Sequence, residues 1–202
     1  MLAVVILLAL NRLGLLDPPE VSLTTTRVTG EDPISAAAAV ARESHPGGAP
    51  TVILAGTQAL ADGVVATGLA GALRAPIVLS DADQLAPATR DLMRELEVER
   101  AILIGGSSAL GEGMAATLAG DLGIEVVRIA GSSRFDTAGL VADMFAEAAD
   151  PAVVDGLRTA LIVPAEDVPA GLEAGSLAAY IGDPLPVLIS QNGLLPDPTI
   201  RA

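Results

Sequence analysis

Few side chains in this sequence can do chemistry, and their spacing narrows what that chemistry is. Arg27 and Arg128 each stand three residues before a glycine, Gly30 and Gly131, and Arg134 follows the second of these. Cations beside glycine turns that open helices, together with free backbone N–H groups, suit a bound anion. The same placement suits a structural ion pair that ties a strand end to a helix. Asp62 falls at the start of a predicted helix, where it either caps the helix or faces a ligand. Asp81-x-Asp83 follows a predicted strand. Two carboxylates there hold Mg²⁺ when a further acid joins them, and otherwise form a turn before the next helix. Gly105-Gly106-Ser107-Ser108 also follows a strand, but Gly111-x-Gly113 comes too late for a dinucleotide phosphate loop. Lysine and cysteine are absent and His45 is the single imidazole. A Walker lysine, a disulfide, a Cys-based metal site and a Ser or Cys relay are therefore unsupported. Ser176 lacks the G-x-S-x-G context. No cofactor and no metal is expected, and the chain reads as a non-enzyme.

The elements that position these residues follow from composition and pattern. Of 202 residues 51% are apolar and 1% aromatic, with a formal net charge of −14. The apolar fraction fits a packed core and not a disordered chain. The acidity and the lack of aromatic rings argue against nucleic-acid binding. Continuous aliphatic runs at 51–55, 76–79, 101–104, 124–129, 159–163 and 186–189 predict strands buried on both faces, and 21–28 predicts another. Predicted helices lie between them at 34–44, 61–73, 87–98, 111–121, 134–149 and 171–181. This alternation predicts an α/β fold of repeated Rossmann- or Toprim-like βα modules with mainly parallel sheets.

Residues 1–20 are expected to be a signal peptide or membrane anchor. MLAVVILLAL has the apolar density of such a segment, followed by Arg12 and a Pro18-Pro19 stop. It lacks a preceding cationic stretch, which a reading frame that begins upstream would supply. Any membrane contact is expected through this segment alone, and the chain is expected outside the cell, at the wall or surface.

The sequence repeats itself. Arg27-Val-Thr-Gly30 aligns with Arg128-Ile-Ala-Gly131, and at that offset Ala37 meets Ala138 and Val40 meets Val141. Further on, TVILAG at 51 aligns with TALIVPA at 159, and APIVLS at 75 with LPVLIS at 185. One module over 21–127 and a second over 128–202, incomplete at its C-terminus, are expected.

Three stretches carry a resemblance to the type 2 cell-wall-binding repeats of prokaryotic surface proteins: RIAGSSRFDTAGLVA from 128, VILAGTQALADGVVATGLAGALRAPIVLS from 52 and AILIGGSSALGEGM from 101. The resemblance covers about 27–202. It implies a non-catalytic module that anchors a secreted protein by noncovalent recognition of an anionic wall glycopolymer. It implies that modules gather around a pseudo-threefold axis, so self-association or pairing with further modules is expected. It links the segment Pro76, Ile77, Val78 and Leu79 to polymer anchoring, although the simplest reading from the residues alone is a buried strand; with Arg27, Arg128, Arg134 and Asp62, read from the residues themselves, these are the expected ligand contacts. Pro33 and Ala36 stand where the second module has Arg134 and Thr137, and Ala170 stands where the first has Asp62. The rival is a Mg²⁺-dependent Toprim-like phosphotransfer domain using Asp81 and Asp83, and a third reading is a structural fragment that needs a partner copy.

Overall fold

A computed structural model describes residues 25–150, 152–179 and 184–202. The segment 1–20 expected to be a signal or anchor lies outside the described residues. No helix among those described is long and apolar enough to cross a membrane. Of the strand predicted at 21–28, residues 21–24 also lie outside, and 25–28 form no strand.

The first unit opens with helix α1 (Pro33–Ser44), started by a reciprocal Asp32–Ser35 capping box. Then come β1 (Thr51–Gly56), α2 (Leu60–Val65), α3 (Thr67–Leu73), β2 (Ile77–Ser80), α4 (Pro87–Glu95), β3 (Arg100–Ile104), α5 (Glu112–Asp121) and β4 (Glu125–Ile129). The strands form one parallel sheet in the order β2-β1-β3-β4. Alternate residues of a strand point to opposite faces. Val52 and Leu54 of β1 therefore join a core with Leu92, Met93, Met114 and Leu118 from α4 and α5. Ile53 joins a second core with Val64, Val65 and Leu69 from α2 and α3. The sheet is thus covered on both faces, which explains its continuous apolar strands.

Where one helix was expected over 61–73 there are two. Thr67 Oγ1 donates to the Val64 carbonyl at 2.7 Å, a local bond that competes with the helical ladder at Ala66. The helix expected to reach residue 98 ends at Glu95, and Glu97 takes a left-handed φ of 55°.

The second unit comprises α6 (Arg134–Ala148), a short hairpin β5 (Val153–Val154) and β6 (Leu157–Arg158), β7 (Leu161–Pro164), α7 (Val168–Ala178), β8 (Val187–Ser190) and α8 (Asp197–Arg201). From α6 onward its elements follow an order like that of α1 to α4. β7 and β8 pair in parallel as β1 and β2 do, and α8 stands where α4 stands in the first unit. The hairpin has no counterpart there.

The two units share a core. Val141 and Phe145 of α6 pack in one cluster with Leu69 of α3 and Ile102 and Ile104 of β3. The helices α2–α3 and α7 meet through small residues. A Cβ on Gly71 would come 2.7 Å from Ala179 Cα, and one on Gly175 would come 2.8 Å from Thr67 Cγ2. Each of these positions touches its own repeat equivalent, so the helices run side by side in register.

Candidate functional site

A doubly wound sheet opens a crevice where neighbouring strands send their chains in opposite directions, outside the strands' carboxyl ends. Here β1 leads to β2 on one side and β3 leads to β4 on the other, so the crevice lies between β1 and β3. A cleft of about 620 Å³ opens at that place. Thr57, Gln58 and Asp62 line it after β1, Gly106 and Ser108 after β3, and Gly131, Ser132, Ser133 and Arg134 after β4. Ala165 and Val168 close it from the second unit.

The start of α6 is tightly built. Ser133 is its N-cap, and its hydroxyl accepts from the Asp136 amide at 3.2 Å. The Asp136 carboxylate accepts from the hydroxyls of Ser132 at 2.6 Å and Ser133 at 2.8 Å, which holds its pKa below the usual carboxylate value. Gly131 donates its amide to Thr137 Oγ1 at 3.0 Å. A Cβ on Gly131 would come 2.6 Å from the Thr137 amide nitrogen, so the turn of R-x-x-G needs glycine for room. Arg134 is exposed at the first turn of this helix.

Asp62 lies in the first turn of α2 and is half-buried. The sequence allowed it a capping role, but the N-cap of α2 is Ala59 and no side chain caps the helix. Burial pushes the Asp62 carboxyl above its ordinary pKa, opposed by the charge of Arg134. Gly105 makes space for it: the backbone there has φ +100°, and a Cβ would come 2.6 Å from Asp62 Oδ2.

Of the residues singled out from sequence, Asp62 and Arg134 meet at the cleft. Arg128 stands behind its wall. The guanidinium donates to the Gly105 carbonyl at 3.0 Å and the Gly111 carbonyl at 3.5 Å, with Glu112 at 3.7 Å. Those bonds fasten the β3–α5 loop to β4. Arg27 is exposed and does not line the cleft. Pro76 and Val78 are buried, Ile77 and Leu79 partly so; Ile77, Val78 and Leu79 lie in the edge strand β2 with Pro76 just before it, and none of the four lines the cleft. Asp81 accepts from Thr57 Oγ1 at 3.3 Å, and the described residues contain no cluster of three or more acids or imidazoles fit to hold a metal ion. Asp83 does not cap α4, whose N-cap is Ala86 with no side-chain cap bond. His45 ends α1, with Nδ1 2.8 Å from Ser44 Oγ and Nε2 3.2 Å from the Arg74 carbonyl. Sequence reasoning missed Ser132, Ser133 and Thr57 as lining groups. Two adjacent serines ahead of Arg134 were the available signal, since small hydroxylated residues favour helix starts.

Comparison with known proteins agrees with this architecture. The family model described as cell wall binding domain 2 (CWB2) matches residues 27–115. N-acetylmuramoyl-L-alanine amidase LytC of Bacillus subtilis (strain 168) is 29% identical over 130 residues, which cover 64% of this chain and 26% of that protein. Cwp6 from Clostridium difficile superimposes with a TM-score of 0.76 at 20% identity, over 92% of this chain and 29% of Cwp6. Cwp8 from Clostridium difficile gives 0.71 at 25% identity, over 86% of this chain and 28% of Cwp8. The chain spans little more than a quarter of the length of each of these proteins.

Proposed function

We propose, on the premise that the chain belongs to the cell wall binding domain 2 family through residues 27–115, that it is a non-catalytic module that attaches a surface protein to the cell wall by holding an anionic glycopolymer in the cleft between β1 and β3. The observation that carries this is the cleft itself. It opens at the switch point of the sheet, is walled by both units, and carries Arg134 at the start of a helix whose dipole favours negative charge. Polar lining groups outnumber charges there, which suits a weak, local contact. A net charge of −14 rules out broad attraction. Several such sites acting together supply strength without any new contact. The amidase name belongs to a protein most of which lies outside the match.

The test is retention of the purified chain on purified wall polysaccharide, with and without Arg134→Gln. Retention that weakens with salt and with the variant is expected. No retention of the wild type, or retention indifferent to both changes, overturns the reading.

A second reading concerns partners. Leu177 and Leu172 of α7 are exposed, whereas their first-unit equivalents Leu69 and Val64 are buried. Val40 of α1 is exposed, whereas its second-unit equivalent Val141 is buried. The contact between units is therefore heterologous, with one half unfilled at each end. A further module of the same kind, or a second copy, fits those faces.

A further inference from the structure

Resting on the wall-polymer reading, we infer that the cleft recognises the hydroxyl-bearing sugar units of its ligand, not a bare polyphosphate chain, with the Asp62 carboxylate accepting from those hydroxyls while Arg134 faces the negative group. The argument begins with what surrounds Asp62. Its carboxylate receives no hydrogen bond from the described residues; burial and the charge of Arg134 are what act on it. Several donors of the neighbouring segments are engaged elsewhere. The Gly105 amide donates to the Ile129 carbonyl at 2.8 Å, and the Arg128 guanidinium is spent on the Gly105 and Gly111 carbonyls. Of the other lining hydroxyls, Thr57 donates to Asp81, Thr137 to the Ser133 carbonyl, and Ser132 and Ser133 to Asp136, while Ser108 donates to no described residue. Asp62 thus presents free lone pairs to a cleft of about 620 Å³, and the backbone at Gly105 is shaped to leave room for it.

An ionised carboxylate only accepts. Half-buried, it keeps only part of its hydration, and a ligand hydroxyl supplies a donor to it through a short charge-assisted bond. A phosphate without a proton to donate meets like charge instead. One carboxylate beside one guanidinium therefore selects a unit that carries both hydroxyls and a negative group. Among the described residues the cleft carries no aromatic ring on which a sugar could stack, so hydroxyl recognition by these residues falls to such polar groups.

The experiment measures binding of three probes: purified wall polysaccharide, the same polysaccharide with its hydroxyls O-acetylated, and linear polyphosphate. The wild type should bind the native polysaccharide about tenfold or more tighter than the acetylated form, the scale of one lost charge-assisted bond. Asp62→Asn should lose about as much on the native polysaccharide while its polyphosphate binding stays level or rises. The acetylation arm needs no variant, so it stands even if Asp62→Asn fails to fold. If the wild type binds the native and acetylated forms equally, or if Asp62→Asn binds the native polysaccharide as the wild type does or better, the inference is overturned and the wall-polymer reading survives. If the wild type binds no polysaccharide, both fall.

Discussion

Leu69 and Leu177 occupy the same position in the two units, yet Leu69 is 0% exposed and Leu177 is 60% exposed. Leu69 is covered by Val141 and Phe145 of the following unit, and Leu177 has no such cover among the described residues. The first unit shows the reverse at its other end, where Val40 is 54% exposed against 2% for Val141. The proposed further module or second copy gives a direct expectation. The chain should shift to earlier elution in size-exclusion chromatography as its concentration rises. Leu177→Ser with Val40→Ser should abolish the shift while leaving the melting temperature within a few degrees, because both side chains are solvated in the single chain. Elution that does not move with concentration counts against the second-copy form.

Gly175 sits against Thr67 with no room for a side chain. Gly175→Val should force the units apart, at a cost of about 1–3 kcal/mol for overpacking. Thermal unfolding should show a lower midpoint, or two transitions in place of one. A midpoint equal to the wild type would mean that the contact yields easily.

Asp62 and Asp136 should respond to pH with opposite signs. Burial raises the folded pKa of Asp62, so its charge destabilises the fold at neutral pH, and the penalty disappears as pH falls through the folded pKa. Asp62→Asn should therefore melt higher than the wild type at pH 7, with the gain gone at about pH 3, below the unfolded carboxylate value. Asp136 is held low by the Ser132 and Ser133 hydroxyls, so its contribution is present at pH 7 and is lost as pH falls. Asp136→Asn should melt lower at pH 7. Melting curves of both variants across this range check the signs.

Thr89 and Thr199 make the same buried bond in the two units. Thr89 Oγ1 donates to the Leu79 carbonyl at 2.5 Å and Thr199 Oγ1 to the Ile189 carbonyl at 2.7 Å. Thr89→Val keeps the volume and orphans a strand carbonyl, at about 1–3 kcal/mol. Chemical denaturation should register that loss for Thr89→Val and a comparable one for Thr199→Val.

Arg128→Gln should release the β3–α5 loop from β4, because it removes the bonds to Gly105 and Gly111. Amide exchange in residues 105–111 should accelerate, and polysaccharide retention should drop because Gly106 and Ser108 line the cleft. Unchanged exchange in that loop would show that other bonds hold it.

Much of this fold was legible because parallel strands buried on both faces write themselves as unbroken aliphatic runs. The strands at 51–55, 76–79, 101–104 and 124–129 were placed within a residue or two. What escaped depends on single bonds that periodicity does not report. Thr67 splits one expected helix in two, and Glu97 stops another. The hairpin at 153–158 has no repeat partner and too few residues for a pattern. Helix α8 was missed although its sequence, LPDPT from 195, aligns with LAPAT from 85. At the site, Asp62 and Arg134 were singled out separately, and their common cleft follows from the strand order. Arg128 shows the limit of reading a cation as a ligand: its guanidinium is turned inward to carbonyl oxygens.

Because residues of both units wall the cleft, occupancy and docking are thermodynamically linked. Any molecule that binds only when the walls stand together stabilises that closed arrangement by its own binding free energy. A load that pries the units apart must then also dislodge what lies between them, so the joint tightens when the cleft is filled.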